Sequence, residues 1–134
     1  MRTDLGAMLP ELRKGPITRL DLVKYAGASG DFNPIHTIEE FAVAAGLGGV
    51  IAHGMLSMAY VGQLLTDFAG LDADLVDFGV RFRAMVRLGD EVICSGTVTK
   101  VEERADGEYA DLQVAAKNQR GEFVIKGSAT IRYI

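Results

Sequence analysis

One cysteine, two histidines and no excess of positive charge exclude several kinds of protein at the outset. Cys94 is the only cysteine in 134 residues, so no disulfide can close within the chain, and the composition suits a reducing compartment. The net charge is −4, with Lys and Arg scattered rather than massed, which leaves no footprint for nucleic acid. The most apolar segment, from His53 to about Ala69, is interrupted by Ser57, Gly62, Gln63, Thr66 and Asp67 and is too short to span a bilayer. The opening Met1-Arg2-Thr3-Asp4-Leu5 has no apolar stretch of the kind a secretory signal needs. No repeat, low-complexity tract or linker divides the chain. The expectation is a single domain over 1–134, cytoplasmic, with no membrane or nucleic-acid partner.

What is present falls into two halves. In the first, Thr18 with Asp21 predicts a capping box, Ile17 and Leu22 a hydrophobic staple, and Gly27 a helix end. Thr37 with Glu40 predicts a second capping box, and Gly46 the end of that helix. A third helix follows His53-Gly54 and is apolar on nearly every face, which predicts burial. From Leu75 the period changes to two. Phe78, Val80, Phe82, Ala84 and Val86 alternate with Gly79, Arg81, Arg83 and Met85, predicting one strand through Val86. Gly89-Asp90 predicts a turn, Val92 to Val101 a strand, and Asp106-Gly107 a hairpin turn. Tyr109 to Lys117 and Phe123 to Tyr133 complete the set, with Phe123, Ile125, Gly127, Ala129, Ile131 and Tyr133 facing inward. The class is α+β. An antiparallel sheet with one apolar face must cover it, and the 53–69 helix is the one large apolar object available. An antiparallel sheet wrapped around a central hydrophobic helix is the layout called the hot-dog fold, and its free edges favour pairing with a second copy.

Both histidines fall near one bend. Gly30-Asp31-Phe32-Asn33-Pro34-Ile35-His36 puts a carboxylate, an amide and an imidazole within seven residues, on a connection that Pro34 keeps out of the helical region. Reference pKa values of about 3.9 and 6.5 leave Asp31 ionised and His36 largely neutral at pH 7. Together they can hold a water, take a proton from it and return one to a neighbouring carbon, with Asn33 orienting either partner. Which of the two moves each proton is open. Gly54 opens the long helix, where backbone N–H groups are unpaired and the macrodipole is positive. A carbonyl oxygen can approach it closely. Water activation beside carbonyl polarisation is what hydration of an α,β-unsaturated acyl group requires.

Tyr25-Ala-Gly-Ala-Ser-Gly-Asp-Phe-Asn-Pro-Ile-His36 resembles the motif of the MaoC-like (R)-specific enoyl-CoA hydratases and dehydratases, and Ile51-Ala-His-Gly-Met-Leu56 resembles their helix-opening segment. The resemblance implies Asp31 and His36 as the catalytic pair, Asn33 in support, and the Gly54 amide on the thioester carbonyl. It also implies a homodimer or close heterodimer and a (3R)-hydroxyacyl product. The substrate would be a thioester of coenzyme A or acyl carrier protein, with no separate cofactor. The same residues resemble the catalytic subunit of actinobacterial (3R)-hydroxyacyl-carrier-protein dehydratases, which works with a second, non-catalytic hot-dog subunit.

Plainer roles stand beside these. Ser29, Ser57 and His53 are candidates for lining the substrate site, but local backbone bonding accounts for either serine and placing the helix start accounts for His53. Asp31, His36 and His53 are possible zinc ligands by type; no ligand spacing supports a metal, and none is expected. Met55 and Met58 suit core or acyl-tunnel lining. Arg81 and Arg83 can meet phosphates but are simplest as a solvated strand face. A hot-dog thioesterase would want a carboxylate on the central helix, where only Asp67 is available. A non-catalytic acyl-binding subunit would lack the Asp31/His36 pair.

Overall fold

A computed structural model describes residues 2–134. Strand β1 (Leu12–Lys14) comes first, then helices α1 (Arg19–Ser29), α2 (Glu39–Ala44) and α3 (Gly54–Ala69), and then β2 (Ala73–Phe82), β3 (Val92–Arg104), β4 (Gly107–Lys117) and β5 (Phe123–Tyr133). The five strands form one antiparallel sheet in the order β1-β3-β4-β5-β2. The sheet curls around α3, which touches every strand. Leu56, Val61, Leu64, Leu65 and Ala69 of α3 pack on Val98, Ala110, Leu112, Val114, Ala116, Ile125 and Ile131 in one core cluster. Each large side chain buried there contributes on the order of 1.5–3 kcal/mol. Cys94 lies at the centre of this core, and burial pushes its thiol up to about 12.

The local signals hold in part. Thr18 Oγ1 accepts from Asp21 N–H, and the Asp21 carboxylate accepts from Thr18 N–H, which completes the predicted capping box. The helix then runs past Gly27 and ends at Gly30, whose φ of +77° and N–H bond to the Ala26 carbonyl make the stop. The capping box predicted at Thr37 and Glu40 does not form. A 3-10 turn over Pro34–His36 takes up that stretch, Thr37 closes it, and α2 starts from Ile38 without a side-chain cap. Gly46 does end α2, with Gly46 N–H on the Val43 carbonyl and Leu47 N–H on the Ala42 carbonyl.

The sheet corrects the alternation reading at three points. β1 was not foreseen, because three residues between Pro10 and Pro16 carry too little pattern; it pairs with β3 at Leu12–Cys94. β2 ends at Phe82 rather than running through Val86. Beyond it, Arg83 and Ala84 N–H both point to the Val124 carbonyl, and Ala52 N–H takes the Val86 carbonyl. Phe123, predicted inward, is 38% exposed and lies between the ammonium groups of Lys117 and Lys126. Leu112, Val114, Ala110 and Ala116 share the buried face of β4 as their spacing predicts. Among the described residues no helix is long and apolar enough to cross a membrane.

Candidate active site

The bend after α1 is built by short polar side chains bonding their own backbone. Asp31 N–H donates to Ser29 Oγ (3.1 Å), Asn33 N–H to Asp31 Oδ1 (3.1 Å) and Ile35 N–H to Asn33 Oδ1 (3.2 Å). His36 N–H then closes on the Asn33 carbonyl (3.1 Å). These are the local bonds that Ser, Asp and Asn favour outside helices. They pin one carboxylate oxygen of Asp31 and leave the other, Oδ2, 3.7 Å from His36 Nε2.

The ring of His36 is held from behind. Its Nδ1 meets the Ile51 carbonyl at 2.7 Å. A carbonyl only accepts, so Nδ1 carries the proton and the neutral ring presents a lone pair at Nε2 towards Asp31. Ile51 is itself fixed, its N–H bonded to the Ile35 carbonyl (3.2 Å) and its main chain bridged to Arg87. A separation of 3.7 Å is too long for a direct hydrogen bond. It suits two acceptors sharing one water, each about 2.8 Å from its oxygen.

Behind this pair lies His53, only 1% exposed. Its ring stacks on His36 with centroids 3.8 Å apart and planes 22° apart, and Tyr25 meets it edge-on at 4.9 Å. Its Nε2 lies 3.1 Å from the Asp31 carbonyl and so carries the proton, while the buried Nδ1 has no partner among the described residues. Burial lowers the proton affinity of His53, the bond to the Asp31 carbonyl opposes that, and the neighbouring His36 lowers it further. Two imidazolium charges at about 4 Å would repel by about 4 kcal/mol at an effective dielectric of about 20. His53 is therefore held uncharged at neutral pH.

Asp31, His36 and His53 bring donor atoms within 4.8 Å of one another. His53 turns its protonated Nε2 to the Asp31 carbonyl and keeps its lone pair on the buried Nδ1, whereas the free lone pair of His36 is at Nε2 towards Asp31. The hydrogen bonds thus already engage the ring nitrogens differently from a shared ligand set.

A cavity of about 340 Å³ opens beside His36, lined also by Ile51, Gly54, Ser57, Phe82 and Val86 among others, with Asp31 outside its lining. Gly54 is the first residue of α3, and His53 supplies no side-chain cap, so the positive end of that helix faces the cavity. A Cβ on Gly54 would come within 3.1–3.4 Å of the Phe82 ring. Two predicted lining residues lie elsewhere. Ser29 is exposed and occupied by the bend, and His53 is buried behind His36. Asn33 has its carbonyl taken by the turn, leaving only its Nδ2 amide to meet a water. Met55 is 55% exposed and Met58 packs against the core; neither lines the cavity. Asp67 is thirteen residues past Gly54, about 20 Å along the helix at about 1.5 Å per residue.

The reading of residues 75–86 as one strand concealed Arg83, Ala84 and Met85, which cross the cavity as irregular chain. The Ile51 carbonyl was equally hidden, since a main-chain acceptor has no signature in residue type.

Comparison with known proteins bears on the family and the fold. A family model described as MaoC like domain matches residues 6–119. An (R)-specific enoyl-CoA hydratase of Rhodospirillum rubrum is 36% identical over 117 residues, covering 86% of this chain and 78% of its own. The solved (R)-hydratase of Aeromonas caviae superposes with a TM-score of 0.88 at 27% identity, over 99% of this chain and 98% of that one. One chain of the ChsH1-ChsH2 complex of Mycobacterium tuberculosis gives 0.87 at 26% identity, over 98% and 99%.

Proposed function

The chain belongs to the MaoC-like dehydratase family, and from that premise we propose that it reversibly hydrates trans-2-enoyl thioesters, of coenzyme A in the first place, to (3R)-3-hydroxyacyl thioesters. The observation that carries this is the 3.7 Å approach of Asp31 Oδ2 to a His36 Nε2 whose lone pair is free, beside a cavity that reaches Gly54. Both atoms accept. A water bound to the two engages both its hydrogens and turns a lone pair outward. That lone pair bonds to C3 of the enoyl group while the C2–C3 π electrons move towards the thioester oxygen. The Gly54 N–H and the helix dipole stabilise the enolate-like oxygen; removing such a donor typically costs about 2.7–4 kcal/mol of transition-state stabilisation. The proton leaving the water passes to one of the two acceptors, and that acceptor then delivers it to C2, so that the pair ends as it began. The apolar wall of Ile51, Val86, Val124 and Met85 takes the acyl chain. The (3R) configuration rests on the relative from R. rubrum and the A. caviae enzyme.

A homodimer is part of the same proposal. β2 is a ten-residue strand at the sheet edge, with Val76 and Phe82 about half exposed. Pairing two copies antiparallel about Gly79 sets Asp77 against the partner's Arg81 twice on one face and Phe78 against the partner's Val80 twice on the other. The M. tuberculosis neighbour belongs to a two-protein complex, so a second hot-dog subunit is the competing outcome. A cytoplasmic setting suits a chain whose single thiol is buried.

The test is purified protein with trans-2-enoyl-CoA substrates of several lengths, following loss of enoyl absorbance and the chirality of the product. Free-thiol release without loss of the enoyl group would make it a thioesterase. No turnover on any coenzyme A or carrier-protein thioester, alone or with a second subunit, would overturn the reading.

A further inference from the structure

His53 has no part in the chemistry above, yet it touches both members of the pair. Through Nε2 it donates to the main-chain carbonyl of Asp31, and through its ring face it backs His36 at 3.8 Å. Tyr25 of α1 closes its edge. The titratable groups against it are thus Asp31 and His36 from the bend and Tyr25 from α1. Its Nδ1 is a buried acceptor with no donor among the described residues, so a second proton on this ring would face no acceptor there. Protonation would create a donor with no acceptor and set a cation against the face of His36.

We propose that His53 is a positioning residue, a buried wedge that fixes the Asp31 main chain and the His36 ring relative to each other. This rests on the hydratase reading for its activity readouts, but the placement does not. His53→Phe keeps a ring against His36 and Tyr25 and removes the bond to Asp31. His53→Gln restores a donor towards the Asp31 carbonyl and cannot be charged.

With crotonyl-CoA, His53→Phe is expected to lower kcat by about tenfold or more with KM within about threefold, since a misplaced group costs rate rather than binding. His53→Gln is expected to recover part of that loss. On the acid side, the loss of kcat/KM in the native protein includes the protonation of His53, so the acid limb should change shape in His53→Gln, which has no ring to charge there. Both variants within twofold of native kcat, or an acid limb unchanged by His53→Gln, would overturn the proposal. So would a fall in kcat accompanied by an equal rise in KM and a lower Tm. A second arm uses no substrate: long-range 1H–15N spectra should show His53 neutral with its proton on Nε2 at pH 7, and its protonation should fall below the ordinary value of 6.5. A charged His53 at pH 7 would sink the proposal, whereas a native protein without turnover would sink only the hydratase reading.

Discussion

Asp31 and His36 perform their proposed role through two atoms, Oδ2 and Nε2, that the bend leaves free while the other side-chain polar atom of each, Oδ1 and Nδ1, has a main-chain partner. Asp31→Asn and His36→Gln are therefore expected to lose at least about 10²-fold in kcat on crotonyl-CoA with the fold intact, since positioned acid–base groups typically contribute about 10²–10⁴-fold. Near-normal rates in either variant would remove the pair from the mechanism. Gly54→Ala keeps the amide but drives a methyl group onto the Phe82 ring. Crowding of that size should cost about tenfold in turnover, with a displacement of about 1 Å able to cost up to 10²-fold. An unchanged rate would show that the ring swings aside freely. His53 also links stability to pH. Its proton affinity is lowered in the fold by burial and by His36, against the bond to Asp31. The unfolded chain thus binds a proton that the folded one refuses. That stabilisation is present above the ordinary value of 6.5 and is lost as pH falls through the lower folded value. Tm should fall more between pH 7 and pH 5 in the native protein than in His53→Phe.

Elements were legible where pattern is dense and obscure where it is short. The capping box at Thr18 and the strands β4 and β5 could be read because each repeats its signal over several residues. Thr37 and Glu40 carry the same signature as Thr18 and Asp21, yet the Pro34–His36 turn takes the chain first, a competition that residue type does not report. The pair Asp31 and His36 could be read from spacing, whereas the cavity wall at Arg83–Met85 could not, because alternation continued past the point where β2 leaves β5. The crossing of β2 and β5 also gives a test. Gly127 faces Val80 across the ladder, and a Cβ there would overlap the Gly79 carbonyl oxygen. Gly127→Ala should lower Tm and raise hydrogen exchange along β2 while β3 and β4 stay protected. Uniform loss of protection would mean that β2 does not open by itself.

The whole molecule is a curled sheet that leaves the ten-residue edge of β2 unpaired among the described residues, and the proposed pairing of two copies would use that edge. If two copies meet about Gly79, Asp77→Arg sets like charges opposite each other twice and should shift sedimentation towards the monomer. The double variant Asp77→Arg with Arg81→Asp restores opposite signs and should restore the dimer. A dimer indifferent to both would place the contact elsewhere. Across the molecule, the bend, the start of α3 and the turn at Arg87 are tied together through the Val50–Ala52 segment, and the bond that sets the tautomer of His36 comes from the carbonyl of Ile51. That oxygen is present whatever residue is encoded at position 51. A saturation screen of every codon would therefore report the position as a packing site and pass over its electronic role. Only chemistry on the polypeptide itself, such as a thioamide installed at that linkage by semisynthesis, would expose it.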